Sequence, residues 1–243
     1  WSTIQAGDFE KIKLMNRMES RETEIRKPDL IRFHIVADMS GSMFWGNGKK
    51  AEVVRQSVVL LLSSLNEFSR MLDLTRLQTY SNLQVDTEVI ALGTDFRTIK
   101  HFGSDTDSEE EEAQIIQAFT HLKKSMGNNC DDKVLRSIGN SLNEVDKQKI
   151  KEGKIMDIVI ELTDGAPDNV SQMRKEIDKL LEYQMLARAF QIGNVGEGEA
   201  KSFNYAWNDD REEPLGFVIG TDIKNLLNAV TAALKEYLTN VSI

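Results

Sequence analysis

A doubly wound, mainly parallel α/β sheet with helices on both faces is the fold this sequence predicts, and three observations predict it. Apolar strand-like runs alternate with amphipathic helical stretches along most of the chain. Two of those runs end directly in polar turns, Asp38-Met39-Ser40-Gly41-Ser42 and Thr163-Asp164-Gly165-Ala166-Pro167. Of 243 residues, 40% are apolar, enough for one substantial core, and no shift in composition divides the chain.

The elements follow in order. Phe33-His34-Ile35-Val36-Ala37 reads as a buried strand. Residues 49–71 carry Val53, Val54, Val58, Leu61, Leu62, Leu65 and Phe68 at helical spacing, which gives the segment one face to lay on the sheet. Stretch 74–84 has no clear period. Residues 85–92 and 98–102 read as a strand pair around Gly93-Thr94-Asp95. A helix over 109–124 turns Ile115, Ile116, Phe119 and Leu122 inward, and a further helix covers 134–145. Strand 155–162, helix 171–183, strands 186–192 and 215–219 and helix 222–238 complete the alternation, with 193–214 as a long connection. Residues 1–30 form a lead-in of alternating charge that includes Lys11, Lys13, Arg17, Arg21, Arg26 and Lys27, and 31–243 form the domain.

Asp38, Ser40 and Ser42 stand at alternate positions where the first strand ends, so their oxygens can converge on one point, and Gly41 eases the turn. One carboxylate and two hydroxyls are too few for the six to eight oxygens calcium takes. They suit magnesium or manganese, which keep several waters. The plainer alternative is that Asp38 and Ser40 only cap the next helix. Asp164 also follows a strand, and open parallel sheets bind ligands at the carboxyl ends of their strands.

The Asp-Met-Ser-Gly-Ser-Met string at 38–43 resembles the metal-ion-dependent adhesion site of the von Willebrand factor A family, and residues 163–167 resemble the loop that carries that family's second aspartate. The likeness covers roughly residues 31–240. It implies a VWA-like, Rossmann-type domain in which Asp38, Ser40 and Ser42 hold Mg²⁺ or Mn²⁺ and Asp164 supports the ion through water. The remaining loop departs from the usual Gly-Gly-Thr. In Gly127-Asn128-Asn129-Cys130-Asp131 the threonine position falls on Asn129, so Asn129 or Asp131 completes the set, or either one caps the helix beginning near Lys133. This Asn-x-Asp variant, and a lead-in ahead of the motif, resemble cobaltochelatase-type proteins that work with MoxR-type AAA+ ATPases. The resemblance implies an adaptor that captures an Asp or Glu of a partner protein and couples a target to such an ATPase. A metal-independent scaffold is the alternative, and a metallohydrolase the third reading.

The formal charge of −9 argues against a nucleic-acid-binding surface. A single cysteine, Cys130, cannot form an internal bridge and points to a reducing, cytoplasmic setting. No stretch of these residues reads as a signal peptide or as an apolar run long enough for a membrane span. A chain beginning with Trp1 reads as an excised domain or a trimmed product. The acidic run at 105–112 complements a helix amino terminus, or else offers an acidic patch to a basic partner.

Phe44 and Trp45 follow the metal motif, and Phe203, Tyr205 and Trp207 lie in the later connection, so Phe44, Trp45 and Trp207 are candidates for partner contact. Small satellite cores under each loop are the alternative. Enzymatic activity is not expected. A phosphatase of the haloacid-dehalogenase type would carry Asp-x-Asp where this chain has Asp38-Met39-Ser40, there is no phosphate-binding Gly-rich loop, and His34, His101 and His121 show no partner that would tune them.

Overall fold

The structure, a computed structural model, describes residues 28–79, 83–103, 127–165 and 167–220, with 113, 115 and 117. The lead-in up to residue 27, the acidic run, most of helix 109–124 and helix 222–238 lie outside the described residues. Ile115 is described, and is buried as expected.

Six strands form one sheet in the spatial order β3-β2-β1-β4-β5-β6. They are β1 (Leu30–Asp38), β2 (Gln84–Leu92), β3 (Phe96–Lys100), β4 (Ile155–Thr163), β5 (Leu186–Ile192) and β6 (Gly216–Gly220). Every pairing is parallel except β2 with β3, a hairpin closed by Gly93 N–H donating to Asp95 C=O at 2.8 Å. The chain leaves β1 outward through β2 and β3, then returns to β4 on β1's other side. The strand order therefore reverses between β1 and β4, where such sheets open a crevice.

Alternation along β1 separates two faces. Ile31, Phe33, Ile35 and Ala37 pack with Val54, Val58, Leu61, Leu62 and Leu65 of α1 (Lys49–Thr79). Val36 joins Val159 and Ile90 against α2 (Asp131–Ser141), α4 (Val170–Glu182) and α5 (Glu197–Trp207), through Val134, Leu135, Met173, Ile177, Phe203 and Trp207. Arg32, His34 and Asp38 share this second face by parity.

Two segments differ from the sequence expectation. The helix expected over 134–145 is two helices, α2 and α3 (Glu144–Lys151), because the Asn143 side chain accepts from Asp146 N–H at 2.9 Å and starts a new helix. The connection 193–214 contains α5, whose Phe203, Ala206 and Trp207 turn into the core. Trp207 is fully buried, so its expected place at a partner surface is corrected: it and Phe203, four residues apart on one helix, belong to the core under α5.

His34 is buried as expected, but it does have partners. Its Nδ1 lies 2.9 Å from Glu88 Oε2 and its Nε2 3.4 Å from Asp157, which Arg32 also grips through two nitrogens at 2.8 and 2.6 Å. Burial pushes the His34 pKa down, but the hydrogen bonds to Asp157 and Glu88 outweigh it and hold it above the ordinary 6.5. This network lies toward the amino ends of the strands, away from the Asp38 turn.

Candidate metal centre

At the carboxyl end of β1, Met39 N–H still donates to Leu92 C=O, so the backbone stays in the sheet while Asp38 ends the strand. Asp38 is completely buried. Its Oδ1 accepts from Ser40 N–H at 2.8 Å, and its Oδ2 accepts from Thr163 Oγ1 at 2.9 Å and Asn129 Nδ2 at 3.3 Å. A 3-10 turn, Gly41–Phe44, follows. It leaves Ser40 Oγ and Ser42 Oγ 3.2 Å apart, two hydroxyls beside one carboxylate.

The 127–130 loop is tied to this turn by Gly41 N–H donating to Gly127 C=O at 2.6 Å, and to the β2–β3 turn by Asn128 N–H donating to Thr94 Oγ1. Gly127 has φ +90°, and a Cβ there would collide with Thr94 Oγ1, so only glycine fits. Asn129 spends its amide oxygen on Asp131 N–H and turns its amide nitrogen to Asp38. In this arrangement it braces the carboxylate. Asp131 is buried with both oxygens unpartnered among the described residues.

Asp164, at the end of β4, faces the same crevice and is fully buried. Lys50, from the first turn of α1, reaches in and donates to Asp164 Oδ2 at 2.9 Å while its stem lies against Gly193. Asp164 Oδ1 has no partner among the described residues. Gly165, at φ +86°, lets Gln191 Nε2 reach the Asp164 carbonyl, and a Cβ would block that amide. Phe44 is half-buried, packed on the core with Arg55 over its ring, whereas Trp45 is 70% exposed on the rim.

The structure thus brings Asp38, Ser40, Ser42, Asn129, Asp131 and Asp164 to one end of the sheet. Two residues of this neighbourhood escape the sequence pattern. Lys50 is one. Glu161 is the other, fully buried on β4 with both oxygens unpartnered among the described residues. The only trace of it in the sequence is an acid inside the apolar run Ile158-Val159-Ile160-Glu161-Leu162.

The electrostatics are those of crowded carboxylates. Burial, then the negative charge of Asp164, pushes Asp38 up to about 6, against the pull of Ser40 and Thr163. Burial and Asp38 push Glu161 up to about 8. Burial, Glu161 and Asp38 hold Asp131 well above the usual carboxylate range. Such a cluster is costly without compensating positive charge. Its hard oxygen donors suit a small divalent cation, and the free Asp164 Oδ1 fits that reading.

Several solved structures share this architecture. The manganese-loaded TRAP protein of Plasmodium vivax superposes with a TM-score of 0.56 at 16% identity, over 82% of this chain and 72% of that one. Proximal thread matrix protein 1 from the mussel byssus, with a zinc-occupied MIDAS motif, does so with a TM-score of 0.55 at 13% identity, over 88% and 46%. A von Willebrand factor type A protein from Catenulispora acidiphila gives 0.52 at 17%, over 83% and 41%. At these identities the likeness shows the fold, which is the von Willebrand factor A fold. No protein-family profile matches the chain. An uncharacterized protein of Treponema pallidum (strain Nichols) is 26% identical over 242 residues, and the chain spans 39% of its length. Among the described residues no helix is long and apolar enough to cross a membrane.

Proposed function

We propose that this chain is a divalent-metal-dependent protein-binding domain, with Asp38, Ser40 and Ser42 holding Mg²⁺ or Mn²⁺ and Asp164 supporting the ion through water. The observation that carries the reading is the geometry of the β1 turn. A buried carboxylate stands beside two hydroxyls 3.2 Å apart, with a second aspartate facing the same crevice at the point where the strand order reverses. Asn129 braces Asp38 through its amide nitrogen, and Asp131 is the carboxylate of that loop whose oxygens have no partner among the described residues. When bound, the ion supplies an open position for an anionic oxygen, so the partner presents Asp or Glu. Trp45, exposed on the rim and next in sequence to the half-buried Phe44, supplies apolar contact area around that position.

The resemblance of the loop 127–131 to cobaltochelatase-type proteins extends the reading to an adaptor that couples a target to a MoxR-type AAA+ ATPase, in the reducing, cytoplasmic setting that the lone cysteine suggests. One observation favours a second reading, a metal-independent scaffold: the Lys50 ammonium already compensates Asp164. Pull-down from native cell extract separates the two. In magnesium a partner should be retained, and it should be lost in EDTA, with Ser40→Ala plus Ser42→Ala, and in large part with Trp45→Ala. Equal retention in magnesium, in EDTA and by the double serine variant would establish the scaffold instead.

A further inference from the structure

We propose that Lys50 is an internal rival of the metal ion: its ammonium holds Asp164 in the metal-free chain, and entry of Mg²⁺ or Mn²⁺ at the β1 turn releases it to solvent. The inference rests on the reading of that turn as a metal centre and adds a regulation of the same site.

Lys50 is the second residue of α1, at the helix end nearest the crevice. The positive end of a helix dipole disfavours a cation in the first turn, where Glu52 is the acid. What draws the ammonium inward is Asp164, fully buried and 2.9 Å away. The seat is built from a second side as well. Gly193, after β5, has φ +91°, and a Cβ there would press on Lys50 Cε, Cγ and Cδ at 3.0, 3.1 and 3.2 Å, so glycine keeps open the slot in which the stem lies. Lys49, the preceding residue, is exposed.

Two observations make this seat temporary. The Lys50 side chain keeps 18% of its exposure, so a flexible four-carbon stem can swing out while the backbone of α1 stays in place. Asp164 Oδ1 is buried and has no partner among the described residues, so the ammonium uses only half of the carboxylate. Charge decides between the rivals. Asp38 and Asp164 together carry the charge that one divalent ion neutralises, and Lys50 would then face two positive charges across a shared carboxylate. Outside the crevice the ammonium recovers the strong hydration that the seat denies it. Lys50 therefore leaves as the centre fills, and the strength of its pairing sets the metal concentration at which filling occurs.

Amine labelling reads this directly. The full chain is treated briefly with an acetylating reagent in EDTA and in saturating Mg²⁺, at matched pH and ionic strength, and mass spectrometry compares Lys50 with its exposed neighbour Lys49. In EDTA Lys50 should react about tenfold or more slowly than Lys49, as a seated and paired ammonium does. In Mg²⁺ the two should react alike, with the midpoint of the change at the Kd that calorimetry gives. Asp38→Ala should keep Lys50 slow in both solutions. Calorimetric uptake of Mg²⁺ with Lys50 still slow overturns the release and leaves the metal centre standing. Lys50 as reactive as Lys49 in EDTA also overturns it, as does a Mg²⁺ response that survives Asp38→Ala. A Lys50 rate above that of Lys49 in Mg²⁺ does the same, since it marks an amine kept beside the ion and stripped of its proton. No uptake of Mg²⁺ by wild type overturns the metal reading and this inference with it.

Discussion

Replacing Asp38 by Asn should make the metal-free protein more stable at pH 8 while abolishing its response to metal. Asp38 is completely buried, and its carboxyl is shifted from an ordinary 3.8 to about 6 by burial and by Asp164. The sign follows from where protons bind. Between pH 4 and 6 the folded chain holds a proton that the unfolded chain has released, so stability falls as pH rises through that window and stays low above it. A shift of roughly two units at about 1.4 kcal/mol each costs the native state on the order of 3 kcal/mol at pH 8, and about half that at pH 5. Asn escapes this cost. It also loses hydrogen bonds, because its amide nitrogen faces the Asn129 amide and a Thr163 hydroxyl that already accepts from Gly165 N–H. That loss is about 1–2 kcal/mol. The balance is a gain of about 1 kcal/mol at pH 8 and none at pH 5. Urea unfolding in EDTA at the two pH values measures it. Repeating the series in magnesium should stabilise wild type by RT ln(1 + [L]/Kd), about 2.7 kcal/mol at one hundred times Kd, and leave Asp38→Asn unmoved. A variant equally less stable than wild type at both pH values would refute the argument, since Asp38 would then be a satisfied structural carboxyl.

Two further expectations concern its neighbours. Lys50→Met should lower metal-free stability by leaving Asp164 unpaired, yet raise Mn²⁺ affinity about tenfold or more, because a like charge a few Å from the ion costs a few kcal/mol at an effective dielectric near 20; calorimetry with thermal melts in EDTA checks both. Asn129→Ala should cost about 1 kcal/mol in EDTA by freeing Asp131 N–H and Asp38 Oδ2, and should weaken Mn²⁺ binding, while Asn129→Thr retains it; unchanged Mn²⁺ affinity in the alanine variant would reduce Asn129 to a structural turn residue.

The parts of the fold legible in the sequence are those set by local periodicity and turn chemistry. Strands β1 and β4 are near-continuous apolar runs that end in Asp-x-Ser-x-Ser and Thr-Asp-Gly, and parallel pairing brings both ends to one edge. Hence Asp38, Ser40, Ser42 and Asp164 meet. Depth is harder to read, because it depends on what packs from another element. Trp207 looks like a loop aromatic until α5 is seen to form, and the spacing of Phe203 and Trp207 was its signal. Lys50 follows Lys49 on a charged helix start, and nothing local separates the one that enters the crevice from the one left in solvent. Glu161 and Asp157 are acids inside an apolar run, and pairing alone decides that one meets Arg32 and His34 while the other faces Asp131.

The partly buried Arg32–Asp157–His34–Glu88 network also bears on how the sheet assembles. Strand side chains alternate with a period of two, so sliding β1 by one residue past its neighbours would turn Arg32, His34 and Asp38 toward α1. There they would meet Leu61, Leu62 and Leu65, which offer no hydrogen-bond partner. An apolar β1 would tolerate such a slip, since both faces of the strand are covered. The charged residues make the misaligned pairing expensive at three positions at once, so the network acts as a register key, aligning β1 with β2 and β4 and thereby bringing the ends of the strands level.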